Sequence, residues 1–583
     1  MTAGAAGEQD TRPLGRRAQE RARALLPRRE DLAAMTRSPR RDLAAGLTVG
    51  IVALPLALAF GISSGLGAGA GMITAVVAGL LAAFFGGSNL QVSGPTGAMT
   101  VVLVPIIAEF GADGVLVVGL MAGGLLVAMA ALGAGRYVKL IPLPVIEGFT
   151  LGIAVIIALQ QVPAALGVTV EGEKVVAVAV GAAFEWASAP QVWPLVLAVG
   201  VAALMLVGAR LRPALPASLI AVVAATVLAE ALDLDVTRIG ALPKGLPVPG
   251  VPDIPWVDLP ALVVPAVAVA LLAALESLLS ATVADAMSVS ERHDPDRELF
   301  GQGVANLASP LFGGIPATAA IARTAVNVRS GASSRLAAII HALVLLLAMV
   351  ALGPLVGAIP LAALAGVLIA TATRMVEVSS VRALLRSSRA DGAVLVLTAL
   401  ATVALDLVTA VVLGVVVAGA LALRQIARAA TLQEVPLGPV PGERTREERE
   451  EHALLDEHIV AYRLDGPLFF LGAHQSLLEL SELSDIRVVI LRMSRVATLD
   501  ATGAAVLRDT IRQLESRGIT VLLSGVPERH STVLDALGVY ESLAHEQHLF
   551  ATTPEAIAHA RMHVARTPHT AVPVPPEDPP EAA

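Results

Sequence analysis

Apolar segments of about 16–25 residues, separated by short polar breaks, recur from Leu43 to about residue 430. About 20 apolar residues suffice to cross a bilayer as a helix. The pattern predicts helices near 43–64, 70–87, 95–110, 114–134, 142–163, 192–209 and 213–232. A second group falls near 257–286, 296–312, 316–330, 335–354, 360–377, 389–405 and 407–430. The shorter run 174–188, flanked by Glu173, Lys174 and Glu185, reads as a helix lying in the membrane interface.

Past residue 430 the periodicity changes. Residues 431–457 form a charged linker with Glu443, Arg444, Arg446, Glu447, Glu448, Arg449 and Glu450. Residues 458–566 alternate short β-like runs with amphipathic helical runs, the signature of one small α/β domain. The β-like runs are Ile459–Leu464, Leu468–Phe470, Arg487–Met493 and Ile519–Ser524; the helical ones are near 474–482, 502–517, 528–537 and 554–565. Residues 567–583 are rich in Pro, Glu and Ala and read as a disordered tail.

Composition sharpens this picture. Only 15% of residues are charged, against about 25% in a soluble domain, and the charge sits mainly in 1–42 and 431–583. A simple soluble enzyme is excluded; a multi-pass membrane protein with soluble ends is predicted. The chain has no cysteine, which removes thiolate metal sites, disulfides and cysteine nucleophiles. Its net charge of −8 leaves no global footprint for nucleic acid.

The tail 1–41 is locally basic, from Arg12 to Arg41. It reads as the cytoplasmic flank of the first span rather than a nucleic-acid arm. With that side inside, alternate loops carry the Arg-rich clusters, such as Arg210 with Arg212 and Arg382 with Arg386, and the opposite loops carry few basic residues. An even number of spans then leaves both termini in the cytoplasm, in the cell membrane.

Seven helices per half would give two halves of opposite orientation, the inverted-repeat plan of many secondary transporters. A faint echo supports it. Phe85-Gly86-Gly87 precedes Pro95-Thr96-Gly97, and Phe312-Gly313-Gly314 precedes Pro316-Ala317-Thr318. Each leads into an unusually short, proline-started apolar segment. A half-helix beginning inside the membrane exposes free N–H groups and the positive end of its dipole. Pro95, Thr96, Gly97 and Ala98, facing Pro316, Ala317, Thr318 and Ala319, therefore read either as an anion site or as a pair of tight helix turns. The repeat favours the anion. Ser93, Thr96 and Thr318 would add hydroxyl donors.

Glu276 lies well inside a span, where a charge costs at least roughly 2.5–3.5 kcal/mol on insertion scales. It is partnered, turned toward a cavity, or neutralised by a proton. The readings are a proton-coupling site or a structural ion pair, with Arg323 as the candidate partner. Ser280 follows one turn later on the same face. Arg323, two turns into the segment starting at Pro316, supplies potential to the anion site, pairs with Glu276 or Asp285, or snorkels. His559 and His563 lack the glutamate of a metal-binding helix motif and read as a solvated face. No cofactor or metal is expected. With no phosphate-binding Gly-rich loop ending in Lys and Ser or Thr, an ATP-driven pump is unsupported.

These residues resemble a known family. Asp42–Val49 with Val52-Ala53-Leu54-Pro55, then Val92–Gly97, then Gly313–Pro316 with Ala322–Asn327, are similar to motifs of the SulP (SLC26-type) anion transporters. The last domain resembles a STAS domain, with Leu499-Asp500-Ala501-Thr502-Gly503 at its strand-to-helix loop. The resemblance implies a mostly α membrane fold of 14 helices as a 7+7 inverted repeat, split into core and gate domains. It implies an anion between the third and tenth half-helices, alternating access by movement of the core against the gate, and a homodimer. The branch it most resembles includes cyanobacterial bicarbonate transporters, sodium-coupled, with Asp and Thr where this chain has Glu276 and Ser280. A Glu there resembles proton-coupled bacterial members. Many relatives carry Gln where this chain has Leu56. Related anti-sigma-antagonist domains carry a phosphorylated Ser where this chain has Ala501.

The expectation is a secondary carrier of small anions (sulfate, bicarbonate or a C4-dicarboxylate) in symport with a proton, or with Na+. A nucleobase:proton symporter uses the same architecture, but the STAS domain and Arg323 argue against it. An anion sensor or channel is the remaining alternative; no catalytic constellation suggests an enzyme.

Overall fold

The computed structural model describes residues 23–136, 142–170, 172, 174–211, 216–253, 258–288, 292–405, 407–428, 431–434, 458–468, 486–545 and 548–566. The chain divides into two compact units, Met1–Ala418 and Gly419–Ala583. Apart from short helical turns, the first unit comprises α1 (Arg29–Met35), α2 (Pro39–Ser63), α3 (Gly67–Phe85), β1 (Ser93–Gly94), α4 (Gly97–Leu132), α5 (Leu143–Gln160), α6 (Val175–Ser188), α7 (Val192–Leu211), α8 (Ala217–Ala231), α9 (Leu259–Met287), α10 (Pro295–Ala308), β2 (Thr318–Ala319), α11 (Ile321–Arg329), α12 (Leu336–Ala351), α13 (Leu361–Met375), α14 (Val378–Ser387), α15 (Arg389–Ala404) and α16 (Leu407–Arg428), the last running into the second unit. Among the described residues, seven helical segments are long and apolar enough to cross a membrane, with further shorter apolar helices between them.

Lipid offers helices no hydrophobic reason to associate, so close backbone packing between small residues holds them together. A Cβ on Gly71 would lie 2.1 Å from Ala57 O, and one on Gly61 2.5 Å from Gly67 O, so α2 and α3 touch at bare backbone. Two helix groups result. In one, α2, α3, α4, α9, α10, α11 and α12 pack together; in the other, α5 packs on α15 and α7 on α13 and α8. The long α4 is two helices joined at Gly111, whose φ of 70° takes it out of helical geometry.

The equivalent segments of the two halves meet. β1 and β2 pair antiparallel, Ser93 with Ala319 and Gly94 with Thr318. A helix follows Pro95 but does not include it: Thr96 is the N-cap and Gly97 the first helical residue, so the proline lies one position before the cap rather than in the first turn. Pro316 does not start a helix. Residues 317–320 are extended and α11 begins at Ile321, because Asn306 and Ser277 claim the backbone of this stretch. Arg323 is thus in the first turn of α11, not two turns in.

Helical structure also reaches into the basic segment 1–41. α1 lies within it, and α2 already begins at Pro39. Asp31 on α1 meets Arg297 at 2.6 Å and Arg335 at 3.3 Å. Burial alone would raise its carboxyl, but these two guanidiniums and the Arg28 N–H hold it below the usual carboxylate range. Residues 1–22 lie outside the described residues.

In the second unit, β3 (Thr431–Glu434), β4 (Ile459–Leu468), β5 (Val488–Leu499), β6 (Thr520–Ser524) and β7 (Leu549–Phe550) form one sheet in that order. Only the β3–β4 pair is antiparallel. Residues 431–434, expected in the linker, are instead this edge strand. α17 (Ala501–Ser516) and α18 (Glu528–Ala536) cover the face of Val489, Leu491, Val521 and Leu523. α19 (Thr553–Arg566) covers the face of Val488, Ile490 and Leu522 through Ala556, Ala560 and Val564. Both faces of β5 are covered, which is why Val488–Leu491 is an unbroken apolar run. His559 and His563 are not a solvated face: both rings lie about the buried His548, at centroid distances of 5.6 and 6.1 Å. The rest of the linker, the helix expected at 474–482 and the tail 567–583 lie outside the described residues.

Candidate functional site

The β1–β2 crossing brings two helix starts together. The first N–H groups of α4 and α11 have no intrahelical acceptor. Thr96 Oγ1 accepts one of them, from Met99 N, at 3.4 Å. The same hydroxyl donates to Glu276 Oε2 of α9 at 2.9 Å. Glu276 therefore has a partner, and it is Thr96 rather than Arg323.

Arg323 is 2% exposed. Its Nη2 donates to Pro95 O at 2.9 Å, and its Nη1 has no hydrogen-bond partner among the described residues. The guanidinium lies against Gly94, where a Cβ would stand 2.6 Å from Nη1. A glycine there lets a cation approach the strand backbone. Thus a buried guanidinium with one open nitrogen faces the crossing beside the N-terminus of α4, an arrangement of positive potential suited to an anion.

The other predicted residues divide by role. Ala98 is wholly buried in the first turn of α4. Ala317 pairs through both backbone groups with the Asn306 side chain, N to Oδ1 at 2.8 Å and O to Nδ2 at 2.9 Å. Ala319 N donates to Ser277 Oγ at 3.1 Å, and Thr318 Oγ1 lies 2.9 Å from that same hydroxyl. Pro316 packs near Gly119 of α4. These residues build the frame, and the N–H groups of Ala317 and Ala319 are already taken. Ser280 Oγ donates to Thr324 Oγ1 at 2.9 Å, tying α9 to α11 instead of meeting Glu276.

A polar ladder on α10 holds this frame: Glu298, Gln302 and Asn306, spaced four residues apart, followed by Ser309. Gln302 Nε2 donates to Ser93 Oγ at 2.7 Å, Asn306 clamps Ala317, and Ser309 Oγ donates to Ile315 O at 3.0 Å. Reading 296–312 only as an apolar span misses it. The available signal was the i, i+4, i+8 spacing of amides and a carboxylate in a helix of otherwise small residues.

In the second unit, Asp500 N-caps α17, its Oδ1 accepting from Gly503 N at 2.7 Å, and Ala501 and Thr502 are exposed on the first turn.

The sulfate permease family model matches residues 40–398, more than half of the chain. The chain belongs to the sulfate permease family. A STAS domain model matches residues 453–556. A putative sulfate transporter, YvdB of Bacillus subtilis, is 35% identical over 88% of this chain and 96% of its own length. The bicarbonate transporter BicA of Picosynechococcus is 31% identical over 87% of this chain and 92% of its own. The solved transmembrane domain of a cyanobacterial BicA covers 66% of this chain and 98% of that one, at 31% identity and a TM-score of 0.59. The murine anion transporter Slc26a9, in its inward-facing state, shares the fold across 96% of both chains, with a TM-score of 0.78 at 18% identity. This member of the sulfate permease family therefore combines a multi-pass helical membrane unit with a STAS domain.

Proposed function

We propose that this protein is a secondary carrier of a small anion, working in the cell membrane as a proton symporter. The anion sits where α4 and α11 begin, against Arg323; the proton sits on Glu276. Sulfate, bicarbonate and C4-dicarboxylates are the candidate substrates, and the named relatives favour the first two. Both termini are cytoplasmic, the carrier is a homodimer, and the helix group containing α4 and α11 moves against the other.

One observation carries the reading: Thr96 both caps α4 and donates to Glu276. A charged Glu276 places a negative group beside the helix start that receives the anion, and like charges at close range in a low-dielectric site repel strongly. A proton on Glu276 removes that repulsion. Anion and proton therefore bind together: with Arg323 counted, a site loaded with a monovalent anion and a proton is neutral, and one loaded with a divalent anion and a proton carries one unit of negative charge instead of two.

The test is uptake of labelled sulfate, bicarbonate and succinate into proteoliposomes under an imposed pH gradient, for the parent and Glu276→Gln. Concentrative uptake driven by protons is expected in the parent. Glu276→Gln should retain counterflow and lose the response to the gradient. Uptake driven only by sodium, or unchanged in the variant, removes Glu276 from this role.

A further inference from the structure

A second buried carboxylate is wired to the same site. Glu298 is 2% exposed. Its Oε2 accepts from Gly87 N at 2.9 Å and Ser88 N at 3.2 Å, and its Oε1 accepts from Gln302 Nε2 at 2.9 Å. All three partners donate, which is the environment of an ionised carboxylate. Gln302 Nε2 donates also to Ser93 Oγ at 2.7 Å, while Gln302 Oε1, fully buried, has no partner among the described residues. Ser93 therefore receives a hydrogen bond and keeps its own hydroxyl hydrogen for another acceptor. Its neighbour Gly94 is the residue against which Arg323 lies.

The polarity of this chain depends on one proton. A protonated Glu298 that keeps both backbone N–H bonds on Oε2 must carry its hydrogen on Oε1. It then becomes a donor toward Gln302, and an amide NH2 cannot face a donor. Rotating the Gln302 amide by half a turn presents the orphan Oε1 to both neighbours. It accepts from Glu298 and from Ser93, and the Ser93 hydrogen is withdrawn from the crossing. The chain has two hydrogen-bond arrangements, selected by the charge on Glu298; each satisfies Glu298 and Ser93 and leaves the outward end of the Gln302 amide without a partner among the described residues.

The surrounding charges are largely committed to one another. His293, whose imidazole also acts electrostatically on Glu298, has its Nδ1 2.7 Å from Asp285 on α9, and Asp294 takes the Arg297 N–H and faces Arg28, the N-cap of α1. Arg297 on α10 binds Asp31 of α1, Arg335 at the N-cap of α12 binds Asn89 and Asp31, and Asp296 accepts from Gly135 N. The residues Gly87 and Ser88 after α3, which face Glu298 directly, bear no charge.

We infer that Glu298 is a positioning residue that sets anion affinity by pH: ionised, it leaves the Ser93 hydroxyl free to donate to the anion; protonated, it turns that donor away through Gln302. This rests on the anion site proposed above but not on Glu276 as the coupling group. The two carboxylates act in opposite senses, since protonation of Glu276 favours the anion and protonation of Glu298 releases it.

The experiment isolates the second effect in the Glu276→Gln background. Counterflow of labelled sulfate, bicarbonate and succinate is measured with equal pH on both sides. KM should rise roughly tenfold as pH falls, the scale of one hydrogen bond to a charged ligand. Adding Glu298→Gln, whose amide donates to Gln302 as the protonated acid does, should fix KM at the high value. Adding Ser93→Ala should do the same, and the two together should add nothing further. A KM whose pH dependence survives Ser93→Ala overturns the inference. A second readout needs no transport. Infrared difference spectra of the full chain in liposomes should show, on acidification, a buried protonated-carboxyl band in Glu276→Gln that is lost when Glu298→Gln is added to it. Absence of that band from Glu276→Gln overturns the inference whatever the fate of the transport reading.

Discussion

Thr96 Oγ1 stands 2.9 Å from Glu276 Oε2, so the residue that caps α4 also touches the carboxylate 180 positions away on α9. In the carrier cycle proposed above, the anion at the start of α4 and the proton on Glu276 share this one hydroxyl. Thr96→Val preserves shape and removes both bonds. Loss of the cap costs about 1 kcal/mol of stability. The larger expected effect is a shift in the pH at which uptake is half-maximal, because the charged form of Glu276 loses its donor. Thr96→Ser should restore the parent profile. An unchanged pH profile in Thr96→Val would show that the contact has no part in coupling.

Arg323 divides its guanidinium between Pro95 O and an open nitrogen over Gly94. A lysine has a single ammonium and cannot serve both directions in a fixed plane. Arg323→Lys should therefore raise the KM for the transported anion at least tenfold. Gly94→Ala should do so as well, since its Cβ would displace Nη1 from 2.6 Å. Counterflow kinetics check both; parental KM values in both variants would place the anion elsewhere.

Much of the membrane unit was legible in the sequence because charge depletion over 20 residues is a local signal. The crossing was not. A two-residue strand has no periodicity, and β1 and β2 exist through bonds between residues more than 220 positions apart. Pro316 resembled a helix start because proline favours the first turn. What overrides it is side chains from other helices, Asn306 and Ser277, bonding to Ala317 and Ala319. In the second unit, the unbroken apolar run of β5 announced a buried strand. The short edge β3, set against charged linker residues, announced nothing.

Asn306 is a side chain acting as a strand: its amide bonds both backbone groups of Ala317. Asn306→Leu fills the volume but leaves a buried N–H and C=O unpaired, at about 1–3 kcal/mol each. Asn306→Asp keeps the acceptor for Ala317 N and turns an oxygen toward Ala317 O. Both should lower the melting temperature of the full chain in detergent, and neither should be rescued by added anion at saturating concentration. A parental melting temperature in Asn306→Leu would show that the clamp contributes nothing to stability.

His548, buried just before β7 against His559 and His563 of α19, makes the second unit sensitive to acid. Burial first, and then the nearby His559, His563 and His545, push its imidazole from 6.5 down to about 4. An imidazole in an unfolded chain titrates near 6.5. Between about 6.5 and 4 the unfolded segment therefore binds a proton that the folded one refuses, and stability falls with pH across that window. Above it the contribution is fully present. Hydrogen-exchange protection of β7 and α19 in the full-length protein should be constant at neutral pH and decline as pH drops toward about 4. His548→Phe, which packs a ring in the same place without a titrating nitrogen, should flatten that decline. A decline of equal size in His548→Phe would assign the acid sensitivity to other groups, since the packing is kept and only the proton site is removed.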